Sequence, residues 1–360
     1  MTTVQTHIFY AGIILFSTAL FWASENLHIG SFTIVKGNKI QKLFVSRFVF
    51  RISAFLVLTI PLVQRKCGTD TSVYYYDYIH DRIYDFDTLF CYLLKFIHRF
   101  IPEPQVGLGI ISAVTIALSM ISLMKLSKKI DPTLAFFAYV TCIYFYSYNY
   151  MRMLFALSFI FLGYSLCIAE KRKLAIIPFA IASFFHLSSL VVLGVHICLM
   201  YFKKHRALII TFSVLGLCAF LAKPDLFLSL ITVERYSSQI VAGQQAAQVG
   251  VGTIIKALPL FYLIFKYYKK YKNDDRFTWL LVFGIANIIF SFLGYFVGTA
   301  SRISNILLVF HIIYAVPLFI KEDELNKRKR AVRYGFIIYC ILMYVLLTFN
   351  FDEMMINPYF

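Results

Sequence analysis

Hydrophobic residues along this chain run in blocks of 16 to 21 residues with more polar stretches between them. Blocks at 6–24, 43–62, 106–124, 132–148, 153–169, 207–222, 253–268, 277–297, 303–320 and 334–349 have the length and apolarity of helices that cross a bilayer. One block does not fit. Residues 174–202 form 29 positions without Asp, Glu, Lys or Arg, framed by KRK and KKHR, with His186 near their middle. A crossing needs about 20 residues, so this block is either one over-long tilted helix or two short passes.

Charge decides between them. Two passes put Lys36–Arg47, Lys125–Lys129, Lys171–Lys173, Lys203–Arg206, Lys266–Arg276 and Lys321–Arg333 on one side. That side then holds 24 of the 35 basic residues, Arg51 is ambiguous, and 10 remain for the other. A single pass would reverse everything after it and carry KEDELNKRKRAVR to the outside, against the preference of basic loops for the cytoplasm. The pattern therefore predicts an all-α polytopic protein of about twelve segments, with a short helical hairpin at 174–202 and both termini on the outer side. Each arm of that hairpin spans about 20 to 22 Å against a hydrocarbon core of roughly 30 Å. His186 is thus expected at an apex sunk below the outer surface, in a protein-lined or water-filled recess.

Composition agrees. The chain has 360 residues, 60% of them hydrophobic and 15% charged, with a mean hydropathy of +0.74, which excludes a water-soluble domain. The net charge of +17 is accounted for by basic cytoplasmic loops facing anionic lipid, and nucleic acid is not an expected partner. The first block lacks a basic flank and a small-residue cleavage pattern, so it is expected to be retained rather than removed as a signal. Cys142, Cys167, Cys198, Cys218 and Cys340 fall in apolar blocks as small hydrophobes, without metal-site spacing. Cys67 and Cys91 share a polar loop, which leaves a disulfide open there.

Polar features collect on the predicted outer side. The loop 64–105, RKCGTDTSVYYYDYIHDRIYDFDTLFCYLLKFIHRFIPEPQ with its preceding glutamine, spaces apolar residues as interfacial amphipathic helices do. NYMR at 149–152 sets Arg152 at the outer end of a block, the loop 223–252 carries Arg235 and Tyr236, and GTASR ends in Arg302. Taken singly, each arginine is accounted for as a snorkelling helix end. Taken together, Arg65, Arg152, Arg235 and Arg302 point to an anionic headgroup such as a diphosphate, whose oxygens fit the guanidinium fork. Asp70, Asp77, Asp81 and Asp85 lie among tyrosines, the last three at i, i+4, i+8, as a solvated face or as carboxylates for sugar hydroxyls. Tyr74, Tyr78 and Tyr236 offer flat apolar surface with a hydroxyl at one end, which suits sugar rings. His186 stands beside Ser188 and Ser189 at the predicted break, either as a packed neutral histidine or as a working group, and no residues are assigned to a metal.

RKCGTDTSVYYYDY resembles the R-x-x-G-T-D-x-x-x-Y signature that follows the second span in the EpsG-like branch of the Wzy polysaccharide polymerases. NYMRMLFALSFIFLGYSLCIAEKRKLAIIPFAIASFFHLSSLVVL resembles the same family's Arg-to-His segment, here with a spacing of 34 residues between Arg152 and His186. Met153 and Ser189 depart from the family's usual Gln and Ala. The resemblance implies a GT-C-like membrane glycosyltransferase in a bacterial inner membrane, working without a metal or other cofactor at the periplasmic face. It would transfer a growing undecaprenyl-diphosphate-linked glycan to the non-reducing end of a new lipid-linked repeat unit, as O-antigen polymerases do. Expected partners are that lipid-linked oligosaccharide and membrane lipid, with room for a membrane protein that regulates chain length. On this basis Arg152, Arg302, Arg65 and Arg235 would hold the diphosphate. His186 or Asp70 would act as base, and Tyr74, Tyr78, Tyr236, Asp77 and Asp81 would guide the glycan. A lipid-linked oligosaccharide flippase and a membrane glycan acyltransferase are the competing classes.

Overall fold

The structure is a computed structural model that describes residues 3–36, 39–68, 70–80, 88–201, 251–293, 303–307, 315–322 and 329–346, with Ile313 and Thr348. The chain opens with α1 (Thr3–Asn26), followed by an antiparallel hairpin of β1 (Ser31–Lys36) and β2 (Lys39–Phe44), paired from Ser31↔Phe44 to Lys36↔Lys39. Apart from this short hairpin every regular element among the described residues is helical, in keeping with the expected α-helical class. There follow α2 (Val45–Val63), α3 (Thr71–Ile79), α4 (Thr88–Phe100), α5 (Pro104–Lys125), α6 (Pro132–Cys142), α7 (Met151–Ile168), α8 (Ile176–Phe185) and α9 (Leu190–Tyr201). After residue 250 come α10 (Val251–Tyr271), α11 (Asp275–Leu293), α12 (Val316–Glu322) and α13 (Lys329–Val345).

Four of these helices, α1, α2, α5 and α7, are long and apolar enough to cross a membrane, and α6, α8, α9 and α13 are shorter apolar helices. Large side chains such as Ile8, Phe16, Phe48 and Phe265 stand exposed on their outer faces, a pattern that suits lipid and not water. The helix α7 is the axis of the bundle. Nearly all its side chains are buried, and it packs between α5 and α8, approaching α8 so closely that a Cβ at Gly163 would strike the Phe179 ring. Around this core α1 packs on α2, α2 on α5, and α6 on both α1 and α13.

Within residues 174–201 the expected fold-back is two short helices, shorter than the hydropathy block implied. Helix α8 has 10 residues and α9 has 12, about 15 and 18 Å of helix. The fold-back is fixed by His196, whose Nε2 lies 2.9 Å from the Arg172 carbonyl and whose ring packs on Phe179. Residues 172 and 196 therefore meet although the apex at 186 lies between them.

The basic segments gather at one end of the bundle. Lys129 Nζ donates to the Ile168 carbonyl at 3.1 Å, Arg172 pairs with Asp275 at 2.8 Å, and Arg333 pairs with Asp131 at 2.7 Å. Lys321 Nζ donates to the carbonyls of Ser127 and Ile130 at 2.8 and 3.0 Å. Four segments that charge counting assigns to one side, 125–131, 168–173, 274–276 and 321–333, are thus in direct contact. The opposite end receives the last turns of α2, α6, α8 and α13 and the first turns of α1, α5, α7 and α9. Tyr344 near the end of α13 reaches the His7 carbonyl and packs on Phe145.

Candidate functional site

The end away from the basic cluster is built on one docking event. After α2 the segment RKCG turns sharply, and Gly68 takes φ +104°, a left-handed conformation that side chains rarely adopt. A Cβ there would run into the Tyr148 carbonyl and stand 2.7 Å from Asn149 Oδ1. The absence of a side chain lets the loop lie flat on the Tyr144–Tyr148 turn that precedes α7. Thr71 Oγ1 shares its proton between the Cys67 carbonyl at 2.8 Å and the Tyr148 carbonyl at 3.1 Å. Arg65 Nη1 donates to the Ser147 carbonyl at 2.9 Å. From behind, Tyr10 of α1 packs on Phe145 and Tyr148 and sets its hydroxyl 3.8 Å from Cys67 Sγ.

Arg65 is only 2% exposed. Burial pulls its guanidinium down from the ordinary value, against the opposing pull of Tyr148, Tyr75 and Tyr74 around it. Its place in the fold is that of a strap across the turn. Cys67 and Cys91 are both free thiols, so the disulfide left open above is not formed, and burial pushes the Cys67 thiol up.

The loop delivers α3 across the start of α7. Asp70 occupies the N-cap position of α3 and is partly buried. One turn on, Tyr74 is 6% exposed with its hydroxyl bonded to the main chain of Arg152. Burial pushes the Tyr74 phenol up, the Arg152 charge pulls it down and the Asp70 charge pushes it up, so both charges lie close to it. Arg152, partly buried, is the second residue of an 18-residue helix whose amide dipoles converge at that end. Asp77 sits partly buried one turn beyond Asp70's neighbours on α3. Tyr78 is fully buried, its hydroxyl donated to the Ile101 carbonyl at 2.6 Å and its ring against His98, so it fastens α3 to the α4–α5 corner.

His186 reaches the same end by a different route. Its extended backbone (φ −152°, ψ 110°) terminates α8, and a single 3-10 turn, Leu187–Ser189, starts the return. The side chain is 3% exposed. A file of aromatic contacts joins it to α3: Tyr74 meets Phe90, Phe90 meets Phe155, and Phe155 meets Phe185 at centroid distances of 6.4, 6.3 and 4.8 Å. Phe155 lies one turn from Arg152, and Phe185 directly precedes His186. Arg65, Asp70, Tyr74, Asp77, Arg152 and His186 thus share one end of the bundle. Asp81, Asp85, Arg235, Tyr236 and Arg302 lie outside the described residues.

The docked turn, its strap and the hairpin apex carry further buried polar atoms, of which Ser147 and Asn149 have no part in the sequence motifs' expected chemistry. Among the described residues, Ser147 Oγ, Asn149 Oδ1, Arg65 Nε and Ser189 Oγ are buried without a hydrogen-bond partner. The only signal for Asn149 was its place in NYMR. Among the described residues no three His, Cys, Asp or Glu side chains converge as metal ligands would. What the arrangement offers chemically is a cation at a helix N-terminus, a carboxylate one helical turn from a buried tyrosine, and an imidazole at the same end of the bundle, three ring contacts away.

A bundle of apolar helices with its basic loops at one end and this polar constellation at the other is a polytopic membrane protein. The chain belongs to the EpsG family, whose model matches residues 48–360, and it is therefore a polysaccharide-polymerase-like membrane protein. No protein of curated function and no solved structure matches it.

Proposed function

We propose that this chain polymerises lipid-linked oligosaccharide repeat units at the periplasmic face of a bacterial inner membrane. The observation that carries the reading is the docking of the RKCGTD loop on the turn before α7, which gathers Asp70, Tyr74 and Arg152 at the end that also holds His186. The positive-inside preference makes the basic end cytoplasmic, so the site and both termini face the periplasm.

In the proposed reaction a hydroxyl oxygen of the incoming unit attacks the anomeric carbon of the growing chain, and its proton passes to His186 or Asp70. The bond from that carbon to the diphosphate oxygen breaks, and the electron pair leaves with undecaprenyl diphosphate. Arg152 and the N-terminal amides of α7 stabilise the charge that grows on the leaving group, with Arg302 as a second cation. Tyr74 orients Arg152 through its main chain, and Asp77 lies where a glycan could be held. No metal is needed for this step, since the charge is met by guanidinium groups. A twelve-segment, GT-C-like organisation and an O-antigen type of product belong to the same proposal, as does a separate membrane protein that regulates chain length.

Purified protein supplied with a defined undecaprenyl-diphosphate-linked repeat tests it. Wild type is expected to yield a ladder of polymers, and Arg152→Lys to lose at least tenfold in rate, because a single ammonium cannot replace a bidentate fork. Full polymer length from Arg152→Lys would remove Arg152 from the mechanism. In cells, deletion should leave one capped repeat. Loss of every surface repeat would mean a flippase, and normal length with altered decoration an acyltransferase.

A further inference from the structure

Lys256 is an ionisable residue inside the apolar block 253–268, which is expected to cross the membrane, and the arrangement just described does not use it. Helix α10 has two faces. Leu258, Phe261, Phe265 and Tyr268 are exposed, whereas Leu260, Leu263 and Tyr267 are at most 2% exposed. Positions 256, 260, 263 and 267 follow the i, i+4, i+7, i+11 rhythm of a single helix face. Lys256, partly buried, therefore lies on the inward face and not among the lipid-facing side chains.

Its depth and neighbours tie it to the site end. The C-terminal end of α10 leads into Asp275, which pairs with Arg172, so Val251 marks the opposite end and Lys256 lies roughly 7 Å in from it. Lys256 Nζ has one polar contact among the described residues, Asn305 Oδ1 at 3.4 Å, and no carboxylate partner. Its carbonyl accepts from the Tyr339 hydroxyl of α13 at 3.5 Å, and Tyr339 is close to Cys142 and Tyr146 beside the docked turn. Next to Asn305, Ser304 receives Asn287 Nδ2 of α11 on its carbonyl at 2.6 Å and on its Oγ at 2.9 Å, with Ser291 on the same hydroxyl. Among the described residues this cation meets one neutral amide oxygen, and an anion supplied by a ligand would compensate its charge.

We propose that Lys256, presented on the inward face of α10 against Asn305 and the Asn287–Ser304 cluster, is a further anion site that takes a phosphate oxygen of a lipid-borne phosphate or diphosphate headgroup. The proposal rests on the polymerase reading for the identity of that lipid as substrate, and not for the site itself. Lys256 contributes a point charge from the second half of the chain, near the end of the bundle that also holds Arg152. Asn287, Ser291 and Ser304 fix the segment that carries Asn305 and so position the ammonium.

The test uses the full chain in nanodiscs of zwitterionic lipid, with polyprenyl diphosphate, polyprenyl monophosphate and phosphatidylglycerol as separate probes. Binding is read by native mass spectrometry, and folding by Tm without ligand. Lys256→Met, which keeps length and removes charge, is expected to hold its Tm or gain a few degrees while binding at least tenfold more weakly. Lys256→Arg should retain most of the affinity. Preference for the diphosphate identifies the substrate as the source, and equal binding of phosphatidylglycerol identifies a membrane headgroup. Undiminished binding of every probe by Lys256→Met overturns the site. Loss of turnover in Arg152→Lys with binding intact in Lys256→Met would leave the polymerase standing and remove Lys256. Charge-dependent binding at Lys256 with no polymer from wild type would do the reverse.

Discussion

At the scale of single residues, the G of RKCGTD matters more than its charges. Gly68 is the position whose backbone angle and lack of Cβ together allow the loop to reach the turn before α7. Gly68→Ala adds left-handed strain and a clash with the Tyr148 carbonyl, a cost of about 1–3 kcal/mol before any repacking. The expected outcome is a Tm lower by several degrees, with polymerisation lost even where folding survives, because the loop holds Tyr74 against Arg152. A variant with wild-type Tm and turnover would show the contact to be dispensable. The roles of two neighbours shift once burial is known. Besides the ligand roles expected of them, Arg65 straps the turn through the Ser147 carbonyl and Tyr78 fastens the loop through Ile101. A motif shows that a residue type is present, whereas burial decides whether its polar end is already engaged.

At the scale of elements, helix ends do much of the positioning. Asp274 caps α11 by accepting from the Arg276 main-chain N–H at 2.7 Å and pairs with the same guanidinium at 2.6 Å. Burial raises its carboxyl, but the Arg276 contacts outweigh that and hold it below its ordinary value of 3.8. A depressed carboxyl adds stability that is present above its unfolded value and is lost as pH falls through the folded one. Tm of wild type should therefore drop below about pH 4. Asp274→Asn keeps the cap and loses the charge, so it should cost about 1 kcal/mol or less at neutral pH and flatten that acid limb. An acid limb as steep as wild type would assign the loss to other carboxyls. Elements also expose what hydropathy misses: β1 and β2 flank Gly37 and Asn38, a two-residue Gly-X pair that is a hairpin signal in its own right, hidden because the segment was read for charge alone.

At the scale of the whole molecule, four of the basic segments that charge counting groups together are found in contact at one end of the bundle. Positive-inside counting used only sequence, while the Arg172–Asp275, Arg333–Asp131 and Lys321–Ser127 contacts come from packing. The topology predicts that Ser188→Cys, at the partly buried apex of the hairpin, reacts with a small membrane-impermeant thiol reagent added to the periplasmic side. Lys171→Cys should react only after the membrane is opened. The opposite pattern, or labelling of both from outside, would break the two-pass assignment. Four helices are long enough to span unaided, whereas α6, α8, α9 and α13 fall short of about 20 residues. Short helices expose backbone polar groups at depth unless neighbours cover them, and α8 and α9 meet that need by meeting at His186 beside α7.

The sequence by itself determined that this chain belongs in a bilayer, which loops share a side, and where the hairpin turns. Those properties depend on summed apolarity and on charge counts, which are local and additive. It also carried the RKCGTD and NYMR segments as two separate motifs, and Arg65 bonds the Ser147 carbonyl, 82 residues on and just before NYMR. Only the tertiary structure decided that the first lies on the second, that Arg65 is buried and Arg152 partly open, and that Lys256 faces inward. Those outcomes depend on which faces of α2, α3, α7 and α10 meet, and on a glycine with no side chain to block the contact.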